Sequence, residues 1–297
     1  MSLRILALIV LLVPLAVFGA AGLMGWRVPV PVWGRDYVVH VALGAARAPL
    51  VLPPVEGPAD PSRPLVVIDA GHGGRDPGAI GTDAAGRRVA EKDITLALAQ
   101  ALRAELLRGG GIRVALTRAD DRILPLAHRP EIARRLEADL FVSIHADSAG
   151  DKAEVGGASI YTLSEAASSE AAARFAAREN DADRLNGIAI AGTSPAVSAI
   201  LVELSQQRTQ EAALAFADLV LREGGSAIAF HPQPQRSAAL AVLRAPDVPS
   251  VLFESGFVTN TTDRARLTTP EGRAAYAAAL ARAIRVFLAR EAARAPG

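Results

Sequence analysis

The sequence predicts an α/β fold built on a mostly parallel sheet. Short runs of apolar, often β-branched residues have the length of buried strands, for example Leu65 to Asp69 and Leu140 to Ile144. They alternate with segments of helical periodicity, such as the one in which Ile94, Leu98 and Leu102 recur at every fourth position. Alternating strands and helices are typical of βαβ units, in which the strands run parallel.

Composition narrows the possible classes of function. The chain has 297 residues, 51% of them hydrophobic, which is enough for one large domain or two small ones. A net charge of +1 and an aromatic content of 4% argue against nucleic acid as a partner, because neither a basic field nor a base-stacking surface is available. The chain has no cysteine, so disulfides, thiolate nucleophiles and Cys-bound metals are excluded, and a bound metal must use histidine and carboxylate ligands.

The N-terminal part, residues 1–25, is predicted to be a signal peptide or membrane anchor. After the single basic residue Arg4, an almost uninterrupted apolar run extends from Ile5 to Leu23. Cleaved and retained forms both place the remaining chain outside the cytoplasm, and only a retained leader would attach it to the inner membrane. Residues 26–63 are rich in proline and are interpreted as a tether, and residues 64–297 as the catalytic domain.

The first predicted strand of this domain ends in a glycine-rich loop that contains His72. The residues on both sides of His72 are glycines, which have no side chain, so a ligand can approach the backbone closely. In open α/β sheets, ligands bind outside the carboxyl ends of the strands. Asp76 stands where a dinucleotide-binding loop would need its third glycine, which argues against a dinucleotide site.

The remaining elements are expected in a regular order that is interrupted once. The predicted ranges are a helix from Glu91 to Gly109, a strand Val114 to Leu116, a helix Leu124 to Glu137, the strand Leu140 to Ile144, a strand Ala158 to Thr162, a strand Val248 to Phe253 and a helix Glu271 to Ala293. Residues 164–236 differ, because two helices are expected in succession, Ala171 to Leu185 and Val197 to Leu221. We interpret this segment as a helical insertion.

Three predicted strands end in an ionisable residue, namely His72, His145 and Glu254. Glu91 lies in the first turn of a helix near the same edge. If the strands are parallel neighbours, these four side chains converge. Two imidazoles and one carboxylate with an open fourth position form the ligand set of a catalytic zinc site, and the second carboxylate would be its general base. HExxH, GxSxG and P-loop motifs are absent from the sequence.

Four segments carry a resemblance to a known family. They are Ile-Asp-Ala-Gly-His-Gly-Gly-Arg-Asp-Pro-Gly-Ala at 68–79, Glu-Lys-Asp-Ile-Thr at 91–95, Phe-Val-Ser-Ile-His-Ala at 141–146 and Val-Pro-Ser-Val-Leu-Phe-Glu-Ser-Gly-Phe at 248–257. In this order they resemble the zinc-dependent N-acetylmuramoyl-L-alanine amidases of bacterial cell-wall turnover. The resemblance implies a twisted, mostly parallel six-stranded sheet flanked by helices, with peptidoglycan as the substrate. It also implies that His72, Glu91 and His145 bind Zn²⁺ and that Glu254 is the catalytic base.

The insertion resembles a particular branch of that family. Segments 168–171, 178–183 and 200–205 are similar to the division amidases of Gram-negative bacteria, which implies a periplasmic enzyme of cell-wall turnover and daughter-cell separation. In that branch a helix of the insertion covers the zinc and inhibits the enzyme until a protein activator displaces it. We therefore expect Glu179, or as second choice Glu203, to occupy the open zinc position.

Several alternatives remain open at this stage. Arg118 and Arg129 are candidates for binding a peptide carboxylate or wall phosphate, and His231 could approach the crevice. The same zinc chemistry would also serve a peptidase that cuts within the stem peptide. A third alternative is a wall-binding relative without activity, although such a relative would be expected to lack at least one of the four chemical residues.

Overall fold

The computed structural model describes residues 50–83, 85–185 and 199–294, and the side chains of 185 and 199–206 are not described. The predicted leader, Ile5 to Leu23, and most of the tether lie outside these ranges. Within them, no helix is long and apolar enough to cross a membrane.

The sheet has six strands in the order β4-β1-β5-β8-β6-β7, and a separate hairpin is formed by β2 and β3. The strands are β1 Leu65–Ala70, β2 Ile80–Thr82, β3 Arg88–Ala90, β4 Arg113–Leu116, β5 Leu140–Asp147, β6 Ala158–Leu163, β7 Phe230–Ala238 and β8 Ser250–Phe257. Strands β4, β1, β5 and β8 are mutually parallel. Strand β6 pairs antiparallel with β8 and parallel with β7. The prediction of a mostly parallel six-stranded sheet is confirmed.

Helices cover both faces of this sheet. They are α1 Glu91–Gly109, α2 His128–Arg135, α3 Glu170–Asn180, α4 Ala182–Leu185, α5 Ala199–Gly224, α6 Thr261–Thr268 and α7 Pro270–Arg294. On β1, Val66 and Ile68 face a core that includes residues of α1, α5 and α7, whereas Leu65 and Val67 face a second core with α2 and α3. Every residue of β1 is buried, as expected of a strand covered on both sides.

Helix α1 forms because its apolar residues repeat at helical spacing and lie on one side. Ile94, Leu98 and Leu102 are at most 3% exposed and pack in the first core. The helix ends at Gly109, and the next residue is Gly110, whose φ of 68° suits glycine. Its first residue is Glu91, so the helix start sets the position of that carboxylate.

The predicted insertion 164–236 is only partly a separate helical layer. Helix α5 packs against the sheet in the first core, through residues such as Phe216, and β7 is the outer strand of the sheet. The C-terminal end of the predicted helical insertion is therefore a strand of the sheet, and α5 is part of the core. Pro232 and Pro234 disfavour a strand because proline has no backbone N–H to donate. An edge strand tolerates them, since one side of it needs no ladder hydrogen bonds.

Helix α3 is also shorter than the predicted helix Ala171 to Leu185. It ends at Asn180, and the short α4 follows after Asp181. Together α3 and α4 lie over the carboxyl ends of the central strands, and we call this pair the cover.

Candidate active site

The sheet topology brings the predicted residues together. Strands β1, β5 and β8 are parallel neighbours, so His72, just after β1, lies beside His145 on β5 and Glu254 on β8. His145 and Glu254 occupy paired positions of β5 and β8. Glu91 reaches the same place from the start of α1. All four side chains are buried, with exposures of 7%, 5%, 2% and 2% in the order His72, His145, Glu254 and Glu91.

Four side-chain atoms of this group and of the cover surround a common point. Glu91 Oε1 lies 3.1 Å from both His72 Nε2 and His145 Nδ1. Glu179 Oε2 lies 3.4 Å from His72 Nε2 and 3.2 Å from His145 Nδ1. Around a tetrahedral zinc ion with bonds of about 2.0–2.1 Å, neighbouring ligand atoms are about 3.3–3.4 Å apart. The four His–Glu separations therefore match those expected between neighbouring ligand atoms of one metal ion.

The polar contacts at this point are consistent with a cation between the four atoms. Within the described ranges, His72 Nε2 and Glu179 Oε2 are buried and have no hydrogen-bond partner. Buried polar atoms without a partner are rare and costly. The ligand-forming atoms of His72, His145 and Glu179 all lie within 4.8 Å of one another, as metal ligands do.

Asp76 orients the His72 ring. Its Oδ2 lies 2.8 Å from His72 Nδ1, and its Oδ1 accepts a hydrogen bond of 3.0 Å from the Gly78 amide. With the proton on Nδ1 donated to Asp76, the lone pair of Nε2 faces the other three donor atoms. A carboxylate behind a histidine is the usual support of a metal-binding imidazole. The sequence alone did not single out Asp76 for this role, although its position four residues after His72 within the same loop was the available signal.

The backbone of this loop is specialised. His72 has a φ of 60°, which is uncommon for a residue other than glycine and typical of functional sites. At Gly71 a Cβ atom would lie 2.4 Å from His145 Nε2, and at Gly78 it would lie 2.5 Å from Glu91 Oε2. These two glycines are therefore needed because the side chains of the site pass directly over them.

The electrostatics of the site favour a cation. Burial alone would lower the pKa of both imidazoles, but the nearby carboxylates of Glu91 and Glu179 outweigh it and raise each pKa to about 10. Burial would raise the pKa of the Glu91 carboxyl, yet the two imidazoles hold it well below its usual range. The carboxylates thus attract positive charge, which is supplied by protons when no metal is bound.

Glu91 is also held by backbone amides. Its Oε1 accepts a hydrogen bond of 2.8 Å from the Ala146 amide, and its Oε2 accepts one of 2.8 Å from the Ala79 amide. These bonds join α1 to β5 and to the loop after β1. They fix the carboxylate in its ionised form, facing the two histidines.

Glu254 differs from Glu91 in its surroundings. Within the described part of the chain, neither of its carboxylate oxygens has a hydrogen-bond partner. Burial raises its pKa well above the usual range, and the negative charges of Asp147, Glu91 and Glu179 add to this, while Arg178 opposes it. A carboxylate with a raised pKa, next to the group that would hold a metal, has the properties of a general base.

The cover places Glu179 over this site. Helix α3 begins after Ser169, whose Oγ accepts a hydrogen bond of 3.1 Å from the Ala172 amide. Its Phe175 stacks on Tyr161 of β6 with ring centroids 4.6 Å apart. One turn later Glu179 is only 5% exposed. A small pocket beneath the cover is lined by both histidines and Glu179.

The neighbouring residue of α3 fixes the helix to the sheet. Arg178 forms a salt bridge with Asp147 at the end of β5. The second predicted candidate of the insertion, Glu203, lies in α5, and its side chain is outside the described part. His231 contacts Arg236 on the outer strand β7, so it does not join the group of four.

Arg118 and Arg129, the predicted candidates for substrate binding, are buried beneath the loop that carries His72. Arg118 is fully buried, and it donates to the carbonyl oxygens of Ala70 and Gly71 at 2.8 Å each. Arg129 is 5% exposed and donates to the carbonyl oxygens of Ala70 at 2.8 Å and His72 at 2.9 Å. The backbone leaves the sheet here, so its carbonyl groups need other donors. The two arginines supply them and thereby support the loop that carries His72.

A second buried carboxylate completes this support. Asp69, at the end of β1, accepts hydrogen bonds from Thr117 at 2.6 Å, Ser143 at 2.7 Å and Arg129 at 2.8 Å. Burial would raise its pKa, but Arg129 and the two hydroxyls hold it below the usual range. Asp69 thus ties β1 to β4, β5 and α2 immediately beneath the site.

Proteins of known name are similar in sequence to most of this chain. Residues 66–286 match the family described as N-acetylmuramoyl-L-alanine amidase. The chain is 38% identical over 224 residues to the amidase AmiA of Salmonella typhimurium, which covers 75% of both proteins. It is 33% identical over 238 residues to AmiC of Escherichia coli, which covers 80% of this chain but 56% of AmiC.

Solved structures agree in fold. The catalytic domain of the amidase CwlV from Paenibacillus polymyxa superposes with a TM-score of 0.55 at 25% identity, covering 76% of this chain and 98% of that domain. The amidase AmiC2 of Nostoc punctiforme gives 0.54 at 28% identity, covering 77% and 99%. The chain therefore belongs to the family of N-acetylmuramoyl-L-alanine amidases.

Proposed function

We propose that this chain is a zinc-dependent peptidoglycan hydrolase that cleaves the amide between the lactyl group of N-acetylmuramic acid and the L-alanine of the stem peptide. The observation that carries the proposal is the group of four buried donor atoms in a chain of this family. In this group each histidine nitrogen lies 3.1–3.4 Å from a Glu91 and a Glu179 oxygen. The chain spans about half the length of AmiC, 56% of it. This activity is therefore proposed for the chain and is not transferred from that relative.

In this proposal His72, Glu91 and His145 hold the zinc ion. Zinc supplies Lewis-acid polarisation of the scissile carbonyl and makes a water molecule acidic enough to react near neutral pH. The three residues keep fixed positions because Asp76 and the amides of Ala79 and Ala146 support them. The chain's own contribution to binding is thus a preorganised set of ligands.

Glu254 is proposed as the general base. Its carboxylate takes the proton from the attacking water and returns it to the nitrogen of the leaving L-alanine. Its pKa is raised by burial, which suits both steps because a more basic carboxylate accepts a proton more readily than an ordinary glutamate. Its position opposite His145 on the next strand supports this role.

The cover is proposed to inhibit the enzyme. Glu179 Oε2 lies 3.4 Å from His72 Nε2 and 3.2 Å from His145 Nδ1, so it would occupy the open zinc position that the attacking water needs. A protein activator would have to bind the open cover more tightly than the closed one, because only a difference in affinity shifts such an equilibrium. An energy gap of a few kcal/mol would keep the open form at a few per cent or less.

The proposed setting is the periplasm, where the enzyme would act in cell-wall turnover and daughter-cell separation. The apolar run from Ile5 to Leu23 supports export, and a retained run would attach the enzyme to the inner membrane. The expected partners are peptidoglycan and the activator.

The activity is tested by product analysis on purified peptidoglycan. The full-length protein and its Glu179→Ala variant are incubated with sacculi, with and without a chelator, and the soluble products are identified by mass spectrometry. An amidase releases intact stem peptides from the glycan, and chelation stops the release. Shortened peptides would indicate a stem-peptide peptidase, and an absence of products from both proteins would indicate a wall-binding relative without activity.

A further inference from the structure

Ser159 on β6 lies directly opposite Glu254 on β8. The two residues are paired in the antiparallel ladder between these strands. Directly opposite residues project from the same face of the sheet, with Cβ atoms about 4.5–5.5 Å apart. Glu254 is thus flanked by His145 on one side and by Ser159 on the other.

Both side chains are buried and lack partners. Ser159 and Glu254 are each 2% exposed. The Ser159 hydroxyl and both Glu254 oxygens make no hydrogen bond to any described residue. A buried polar group without a partner costs about 1–3 kcal/mol, so two such groups facing each other across one pair of strands call for an explanation.

The other neighbours of Glu254 have different partners. His145 turns its Nδ1 toward Glu91 and Glu179. Tyr161, the next residue of β6 on the same face, has its hydroxyl 3.2 Å from Arg236 Nη1. Among the described residues paired with Glu254, Ser159 therefore has a hydroxyl group whose proton has no acceptor.

We propose that Ser159 is a positioning residue for Glu254. Its hydroxyl donates a hydrogen bond to the carboxylate, directly or through one water molecule, and fixes the carboxylate toward the attacking water. The inference rests on the proposed function, in which Glu254 is the base. A glutamate has three side-chain torsions, and a displacement of about 1 Å at a reacting group can cost about 100-fold in rate.

The kinetic test uses the full-length Glu179→Ala protein as parent, so that the cover does not mask an effect. Adding Ser159→Ala is expected to lower kcat by about tenfold or more, with KM and zinc content unchanged. Adding Ser159→Thr is expected to restore most of kcat, because the hydroxyl is kept. The matched control is Ser250→Ala. Ser250 lies in β8 and is buried as Ser159 is, but its hydroxyl donates to the Val248 carbonyl at 2.8 Å. It is expected to leave kcat within twofold.

The structural test does not depend on activity. A high-resolution crystal structure of the Glu179→Ala protein is expected to show Ser159 Oγ bonded to the Glu254 carboxylate or to a water that bridges them. The inference is overturned if this bond is absent, if Ser159→Ala keeps kcat within twofold, or if Ser159→Thr is as impaired as Ser159→Ala. A parent that shows the bond but cleaves no peptidoglycan supports the inference and contradicts the proposed function alone.

Discussion

The Asn180 side chain and the Ala241 backbone are joined by a hydrogen bond of 2.8 Å, from the Ala241 amide to Asn180 Oδ1. The other end of the same side chain donates to the Ala239 carbonyl at 2.9 Å. This clamp is one residue away from Glu179 but does not involve the site itself. The closed position of the cover is therefore stabilised independently of any metal.

We expect Asn180→Ala to raise the basal peptidoglycan hydrolysis of the full-length protein by about tenfold. The variant removes two hydrogen bonds that each stabilise the closed cover by about 0.5–1.5 kcal/mol. The measurement is dye release from labelled sacculi. The matched control is Arg174→Ala, because Arg174 is exposed on the same helix and pairs with Glu170, one turn before it. Equal rates for Asn180→Ala and the unaltered protein would show that the clamp does not limit opening.

Replacement of Asp76 tests the metal site through a residue that supports the ligand His72 without being a ligand itself. Asp76→Ala keeps every proposed ligand but frees the His72 ring, so the affinity for zinc should fall by about 10–100-fold. Competition with a chromogenic chelator measures this directly. His145→Ala, which removes a ligand, should lose more. An unchanged affinity in both variants would reject the site.

Glu254→Gln separates catalysis from metal binding. The substitution keeps the shape but removes the proton acceptor, and loss of a general base typically lowers the rate by about 10²–10⁴-fold. In the Glu179→Ala background we expect normal zinc content with hydrolysis reduced by this factor. If zinc content falls instead, Glu254 is a ligand and the assigned roles of Glu91 and Glu254 must be exchanged.

The stability of the metal-free protein should fall as the pH rises. His72 and His145 have pKa values of about 10 in the folded state, above the ordinary 6.5. Their protonated forms therefore contribute stability that is complete below pH 6.5 and is lost as the pH rises through about 10. Zinc competes with those protons, so its binding strengthens over the same range. The Tm difference between zinc-loaded and chelated protein, measured from pH 6 to 10, should widen with pH; a constant difference would contradict this.

Arg118 should matter for folding rather than for substrate binding. Arg118→Met removes the charged donor to the carbonyls of Ala70, Gly71 and Lys92. Loss of several buried hydrogen bonds to a charged group should lower the free energy of unfolding by about 3 kcal/mol or more. Urea denaturation measures this. Arg113→Met is a control, because the Arg113 side chain donates to the Arg63 carbonyl in an exposed position. A stable Arg118→Met protein with a raised KM would restore the role in substrate binding.

Strand ends were the most predictable part of the site. His72, His145 and Glu254 each follow an apolar run, and parallel strands necessarily bring such ends to one edge. Glu91 could be placed because a helix of clear periodicity begins there. These placements needed only local patterns and one topological rule.

Other features depended on tertiary context that no local pattern contains. Strand β7 contains two prolines and is stable only because it lies at the sheet edge. The burial of Arg118 depends on carbonyls some 47 residues away in sequence. Helix α5 was grouped with the cover because both are rich in alanine, whereas its side chains pack in the core with α7. Deleting residues 165 to 230 would therefore remove part of the core, and point variants of the cover are the better probes.

The alanine-rich face of α3 has a consequence for the energy needed to open the cover. The residues that α3 buries are Ala172, Phe175, Ala176 and Glu179, of which only Phe175 is large and apolar. Burial of one phenylalanine contributes about 1.5–3 kcal/mol, and alanines add little. Apart from its polar contacts, α3 is therefore held to the sheet mainly by Phe175, whose ring stacks on Tyr161. A partner that offers Phe175 an equivalent apolar surface would recover most of the apolar burial that α3 loses on opening.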